Sequence, residues 1–220
     1  MLENKLKKIY QKRFNKEIKE RDIIWQVLCR NFIQKFIPNR QGTIVDIGAG
    51  YCEFINNIDC RKKYAYDLNE DVKKYARRGV NVVHDNWQNI RKHFRADSID
   101  YVFMSNFLEH LNSKDEVIAV FDSIKRILKK GGRLLILQPN IRFLYDAYWD
   151  FFDHNIPLSD KSVAEALTFS GFRIIKNYPK FLPYTTKSRY PKNKFIVWLY
   201  LHLPFTFSIF GKQAFLVAEK

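Results

Sequence analysis

The chain has 220 residues, with 38 Lys or Arg against 23 Asp or Glu and a formal net charge of +15. A hydrophobic share of 46% beside 28% charged residues excludes a disordered chain and leaves room for one domain with an ample core. The positive charge points to anionic partners, unless it follows from the Lys-, Asn-, Ile-, Phe- and Tyr-rich usage of low-GC coding. Cys29, Cys52 and Cys60 have neither metal-like nor paired spacing and read as reduced thiols of a cytoplasmic protein. No signal-type apolar core follows Met1, so export is not expected.

In chain order, residues 1–40 read as a basic helical extension. Leu2, Leu6, Ile9, Tyr10 and Phe14 recur at helical spacing, and Ile23, Ile24, Val27, Leu28, Phe32 and Phe36 continue the pattern until Pro38 ends it. From residue 41 onward strands and helices alternate. The expected strands are Thr43–Ile47, Lys63–Asp67, Asn81–His84, Ile99–Met104 and Arg133–Gln138. The intervening helices begin near Cys52, span Glu70–Arg78, and span Lys114–Leu128, the last ending in the basic Lys129-Lys130-Gly131-Gly132. This βαβα order predicts a parallel sheet with helices on both faces. A helix at Lys161–Ser170 and strands at Phe172–Tyr178 and Ala214–Glu219 complete the chain. Segments at about 141–160 and 179–212 are expected on the acceptor side.

The richest stretch is Ile44-Val45-Asp46-Ile47-Gly48-Ala49-Gly50, a β-branched run, a carboxylate and two glycines one residue apart. Such a turn lets the backbone approach a nucleotide. Asp67 ends the second strand, where a carboxylate can accept from a ribose diol. Leu68 follows it. Asp85, Asn86 and Trp87 follow the third strand and suit an adenine edge and face, and Asn106 follows the fourth. A dinucleotide fingerprint needs a third glycine where this chain has Glu53, a poor neighbour for a pyrophosphate. A sulfonium cofactor tolerates these acids, and Asp46 can face its cationic end.

On these motifs, with Asn106-Phe107-Leu108-Glu109-His110-Leu111 and Leu128-Lys129-Lys130-Gly131-Gly132-Arg133, residues 40–220 resemble the class I S-adenosylmethionine-dependent methyltransferases. The family's common third glycine is replaced by Cys52. The resemblance implies a Rossmann-like, seven-stranded, mostly parallel sheet whose last strand is antiparallel. It implies S-adenosyl-L-methionine as cofactor, with Asp46 near the methionine amino group, Asp67 on the ribose, and Asp85 and Asn86 near adenine. His110 and His154 are the candidate groups for acceptor binding or proton removal. One Glu109-His110 pair offers too few ligands for a metal, and none is expected.

For the acceptor, Pro179–Pro191 combines aromatics, hydroxyls and bases. The apolar Phe195–Phe210 run contains His202 and Pro204 and is too short to span a bilayer. Flanked by Lys192, Lys194 and Lys212, it suits peripheral contact with acidic membrane at the inner face. The tail from Phe181 resembles a bacterial subgroup acting on surface glycans or lipid-linked sugars. A small-molecule or lipid-linked acceptor is the leading expectation. An RNA methyltransferase and a non-catalytic cofactor-binding scaffold are the alternatives.

Overall fold

Apolar, β-branched segments form the strands, and the loops at their carboxyl ends carry the polar residues. The computed structural model describes residues 18–184 and 193–220. After α1 (Ile18–Asn31) and a 3-10 turn at Ile33–Phe36, β1 (Thr43–Ile47) leads into α2 (Glu53–Asn57). β2 (Lys62–Asp67), α3 (Val72–Tyr75) and β3 (Val80–His84) follow, then a 3-10 turn at Trp87–Asn89 and α4 (Ile90–His93). β4 (Ile99–Ser105), a 3-10 turn at Leu108–His110, α5 (Lys114–Ile127) and β5 (Leu128–Pro139) come next. The remainder is α6 (Ile141–Leu144), a 3-10 turn at Tyr145–Asp150, α7 (Asp160–Phe169), β6 (Arg173–Leu182), α8 (Lys194–His202), α9 (Phe205–Phe210) and β7 (Gln213–Glu219).

The seven strands lie in the order β3-β2-β1-β4-β5-β7-β6. All neighbouring pairs from β3 to β5 are parallel, and β7 runs antiparallel to both β5 and β6. This is the mostly parallel, Rossmann-like sheet with an antiparallel last strand. Strand order reverses beside β1, so the crevice at the carboxyl ends of β1 and β4 is where a ligand is received.

Each sheet face buries its own core. Val45, Ile47, Val102, Met104, Leu134 and Ile136 pack against α5 and α7, where Val117, Phe121, Val163 and Leu167 face them. Ile44, Tyr101, Phe103, Leu135 and Val217 pack on the other side with Leu28, Phe32, Phe54 and Phe207. Strand side chains alternate between faces, so adjacent residues join different cores. α1 belongs to the second core, where Trp25 meets Phe54 and Phe103 edge-on at 6.2 and 6.0 Å between ring centroids. All three cysteines are buried free thiols.

The structure departs from the sequence reading at four points. The expected helix Glu70–Arg78 shrinks to Val72–Tyr75. Asn56 ends it from outside, donating Nδ2 to the Tyr75 carbonyl at 2.9 Å and accepting the Arg77 amide at 2.9 Å. Lys129–Gly132 do not close a helix but open β5, because Leu128 turns extended and pairs with Ile99. The strand expected to end at Tyr178 continues to Leu182. The apolar Phe195–Phe210 run is two short helices divided at Leu203 and Pro204. Leu2, Leu6, Ile9, Tyr10, Phe14 and the insertion's 185–192 portion lie outside the described residues.

Candidate active site

The carboxyl ends of β1, β2, β3 and β4 surround a cavity of about 310 Å³, in the size range of small-molecule sites. Gly48, Asp67, Leu68, Asp85, Asn86, Trp87 and His110, all marked out by sequence, line it. Sequence reasoning did not mark Ile47, Tyr66, Phe107 or Leu111, which also face it. Their positions at strand ends are a usable signal; their apolar character hides them among core residues.

Gly48 sits at φ +70°, and a Cβ there would come within 2.9 Å of the Phe107 ring. The turn therefore presents bare backbone to the cavity. Gly50, at φ +50°, and Ala49 lie outside the cavity wall, but the Gly50 amide donates to Asp67 Oδ2 at 2.8 Å. Asp67 Oδ1 accepts the Asn69 amide at 2.7 Å. Burial pushes the Asp67 carboxyl up, against these two amides and His84, which pull it down. A carboxylate has about four lone-pair directions, so Asp67 retains capacity for further donors.

Asp85 is held in place from three sides. His93 Nε2 donates to Oδ2 at 2.8 Å, and Asn89 Nδ2 and the Asn86 amide donate to Oδ1 at 2.8 and 2.7 Å. The His93 bond is the main reason its carboxyl is held down at about 2. The Asn86 side chain caps the Trp87–Asn89 turn by accepting the Gln88 amide, and its carbonyl accepts the Tyr66 hydroxyl at 2.6 Å. Trp87 is thereby held on the cavity wall.

Asp46 and Asn106 are not on that wall. Asp46 shares the sheet face of Ile44 and is only 3% exposed. Burial, then the charges of Asp67 and Glu53, push its carboxyl well above the usual range, while the Ile55 amide opposes them. Asn106 adopts φ +48° and donates its amide to the Leu137 carbonyl at 2.9 Å, acting as a turn residue. Asp46, Glu53 and Asp67 nonetheless gather around one glycine turn, with Arg21 paired to Glu53 at 2.8 Å. Their mutual repulsion adds to burial in raising the Asp46 carboxyl.

His110, on the cavity wall, and His154, which does not line it, come together with ring centroids 5.4 Å apart. His110 Nδ1 donates to the Asp153 carbonyl at 2.7 Å. His154 stacks on Phe151 at 5.2 Å, meets Tyr148 edge-on at 4.8 Å, and lies 3.4 Å from the Tyr184 hydroxyl. Glu109 is buried beside them, and desolvation pushes its carboxyl up to about 7.

A cavity at the carboxyl ends of the parallel strands, with the strand-end acids Asp67 and Asp85 and the bare Gly48 turn on its wall, stands where class I S-adenosylmethionine-dependent methyltransferases receive their cofactor. The chain belongs to the methyltransferase-domain family, whose model matches residues 21–177. Its cofactor is S-adenosyl-L-methionine. Among solved structures, a SAM-dependent methyltransferase from Archaeoglobus fulgidus is 21% identical with a TM-score of 0.67, covering 94% of this chain and 99% of that one. One from Thermotoga maritima is 16% identical with a TM-score of 0.69, covering 96% of each chain. A methyltransferase from Haloferax volcanii, solved with the Trm112 methyltransferase activator, is 14% identical with a TM-score of 0.66, again covering 96% of each. No curated protein matches the chain.

Proposed function

We propose that this enzyme methylates a hydroxyl of a small-molecule or lipid-linked acceptor, with sugar as the acceptor class, at an acidic membrane surface. The observation that carries this reading is the outer face of α8 and α9. Phe195, Trp198, Leu199, Phe205, Ile209 and Phe210 are all exposed there. No acidic residue stands between Glu165 and Glu219, while Lys180, Lys192, Lys194 and Lys212 are spread through the segment. Aromatic faces with basic flanks favour the headgroup boundary of anionic bilayers. Among the described residues no helix is long and apolar enough to cross a membrane. The two helices join β6 to β7 at the sheet end that also carries the cavity.

Within the site, Asp67 would hold the ribose, Asp85 and Asn86 would bind the adenine edge, and Trp87 and Leu68 would line its faces. When bound, the cofactor supplies an electrophilic methyl group on sulfonium. The chain's task is alignment of the acceptor in line and exclusion of water. A hydroxyl acceptor must also lose a proton. His110 and His154 are the groups that serve acceptor binding and proton removal.

Co-sedimentation with phosphatidylglycerol vesicles tests the membrane reading. Binding is expected to fall at least about tenfold in Trp198→Ser/Phe205→Ser, with S-adenosylmethionine binding retained. Equal sedimentation of both proteins would reject the docking face. Tritiated methyl incorporation into bulk RNA from cells lacking the gene would instead favour RNA as acceptor. Absence of turnover on glycans, lipids and RNA alike would leave a cofactor-binding scaffold.

A further inference from the structure

Glu109 and His110 are chain neighbours, and the fold delivers a third group to them. Each of Glu109, His110 and His154 has one ligand atom within 4.8 Å of those of the other two. Two bonds to the main chain join the segments: the Asn155 amide donates to the Glu109 carbonyl at 2.8 Å, and the Asn155 side chain, through Nδ2, to the His110 carbonyl at 3.1 Å. The convergence is therefore built into the backbone and does not rest on side-chain rotamers alone.

Glu109 is the most telling member. It is 1% exposed, and neither carboxylate oxygen has a hydrogen-bond partner among the described residues. A buried carboxyl without partners is costly, and native proteins keep few of them. His110 supplies a second sign. Its Nδ1–H is given to the Asp153 carbonyl, which orients the ring with Nε2 on the side away from that bond. Histidines that hold metals are oriented by this kind of outer hydrogen bond. His154 is fixed in plane by Phe151 and Tyr148.

We infer that Glu109, His110 and His154 form a binding site for one divalent transition-metal ion of the manganese-to-zinc series. Two imidazoles with one carboxylate suit these metals, whereas magnesium and calcium prefer oxygen alone. Donors around one ion at about 2.1 Å lie at most about 4.2 Å apart, so a small side-chain rotation closes the site. Three protein ligands leave at least one position open. His110 also lines the cofactor cavity, so that position adjoins the acceptor. An acceptor hydroxyl bound there is acidified by the ion and releases its proton to water, with the imidazoles serving as ligands. This last step rests on the hydroxyl-acceptor reading above; binding of the ion does not.

The test uses the full chain, stripped with chelator and titrated with Co²⁺, Zn²⁺, Mn²⁺ and Mg²⁺ by calorimetry, with visible absorption followed for Co²⁺. One equivalent of Co²⁺ or Zn²⁺ is expected, with Mg²⁺ at least about 100-fold weaker. Glu109→Gln and His154→Ala should each weaken Co²⁺ binding about 100-fold or more, with S-adenosylmethionine-induced thermal shifts near wild type as proof of folding. Less than one equivalent with all three transition metals, or equal affinity in the folded variants, would overturn the site. If a variant does not fold, a wild-type Co²⁺ spectrum lacking d–d bands of a nitrogen- and oxygen-ligated ion would overturn it as well. Metal binding without methyl transfer to any hydroxyl would reject the acceptor reading and keep the site.

Discussion

The Gly50 amide donates to Asp67 Oδ2 across 2.8 Å, so the turn after β1 and the acid ending β2 form one unit. Removing the carboxylate therefore loosens the turn as well as removing the proposed ribose contact. Asp67→Ala is expected to weaken S-adenosylmethionine binding about 10- to 100-fold, from hydrogen bonds to a charged acceptor worth about 1.5–3 kcal/mol. Asp67→Asn keeps an oxygen for Gly50 and should lose less. Thermal-shift titration of the three proteins checks the order.

The two glycines differ in what a side chain would meet. At Gly48 a Cβ lies 2.9 Å from the Phe107 ring, while at Gly50 the nearest atom is 3.9 Å away. Both pay the strain of positive φ. Gly48→Ala is thus expected to weaken cofactor binding more than Gly50→Ala, and Gly48→Ala/Phe107→Ala to recover part of the loss. Dissociation constants by calorimetry decide this.

Asp46 makes a pH prediction. Burial raises its folded carboxyl above the ordinary value, so the folded state holds its proton to higher pH than the unfolded chain does. Stability from this group is then greatest at acid pH and declines as pH rises from about 4 through the raised value. Asp46→Asn preserves an acceptor for the Ile55 amide and removes the titration. The variant's melting temperature should fall less than wild type's between pH 5 and pH 9, as measured by circular dichroism.

At the end of β5, Asn140 Nδ2 and Arg142 donate to Asp160 Oδ1 at 2.8 and 2.7 Å. Asn140 also donates to the Pro179 carbonyl at 2.9 Å, tying β5, α7 and β6 together. Asp160→Ala is expected to cost about 2 kcal/mol, because it removes three bonds to a buried carboxylate, the third a long one from Asn177 at 3.4 Å, while Arg142 stays partly solvated. Urea unfolding measures the loss. Ser159→Ala, which deletes the cap of α7 beside it, should cost about 1 kcal/mol.

Much of the fold was legible because strands announce themselves locally. Thr43–Ile47 and the β4 run are buried on both faces and apolar but for Thr43, Asp46, Asp100 and Ser105, as central parallel strands are, and the glycines mark the turn after β1. Helix ends were less legible. The stop at Tyr75 depends on Asn56, a residue from another element, and Lys129 continues into β5 because Ile99 is there to pair with Leu128. Neither partner can be read from the neighbouring sequence.

By itself the sequence determined the sheet, the glycine turn, the strand-end acids Asp67 and Asp85, and with them the methyl donor. These rest on short-range chemistry: side-chain period, glycine φ, and a carboxylate at the end of an apolar run. Only the tertiary structure decided that Asp46 lies buried off the cavity wall, since strand parity and the α1–α2 packing set its surroundings. It also decided that His154, far along the chain, returns to Glu109 and His110 through the Asn155 bonds. Contacts of that range are made by the closed backbone, and no local pattern encodes them.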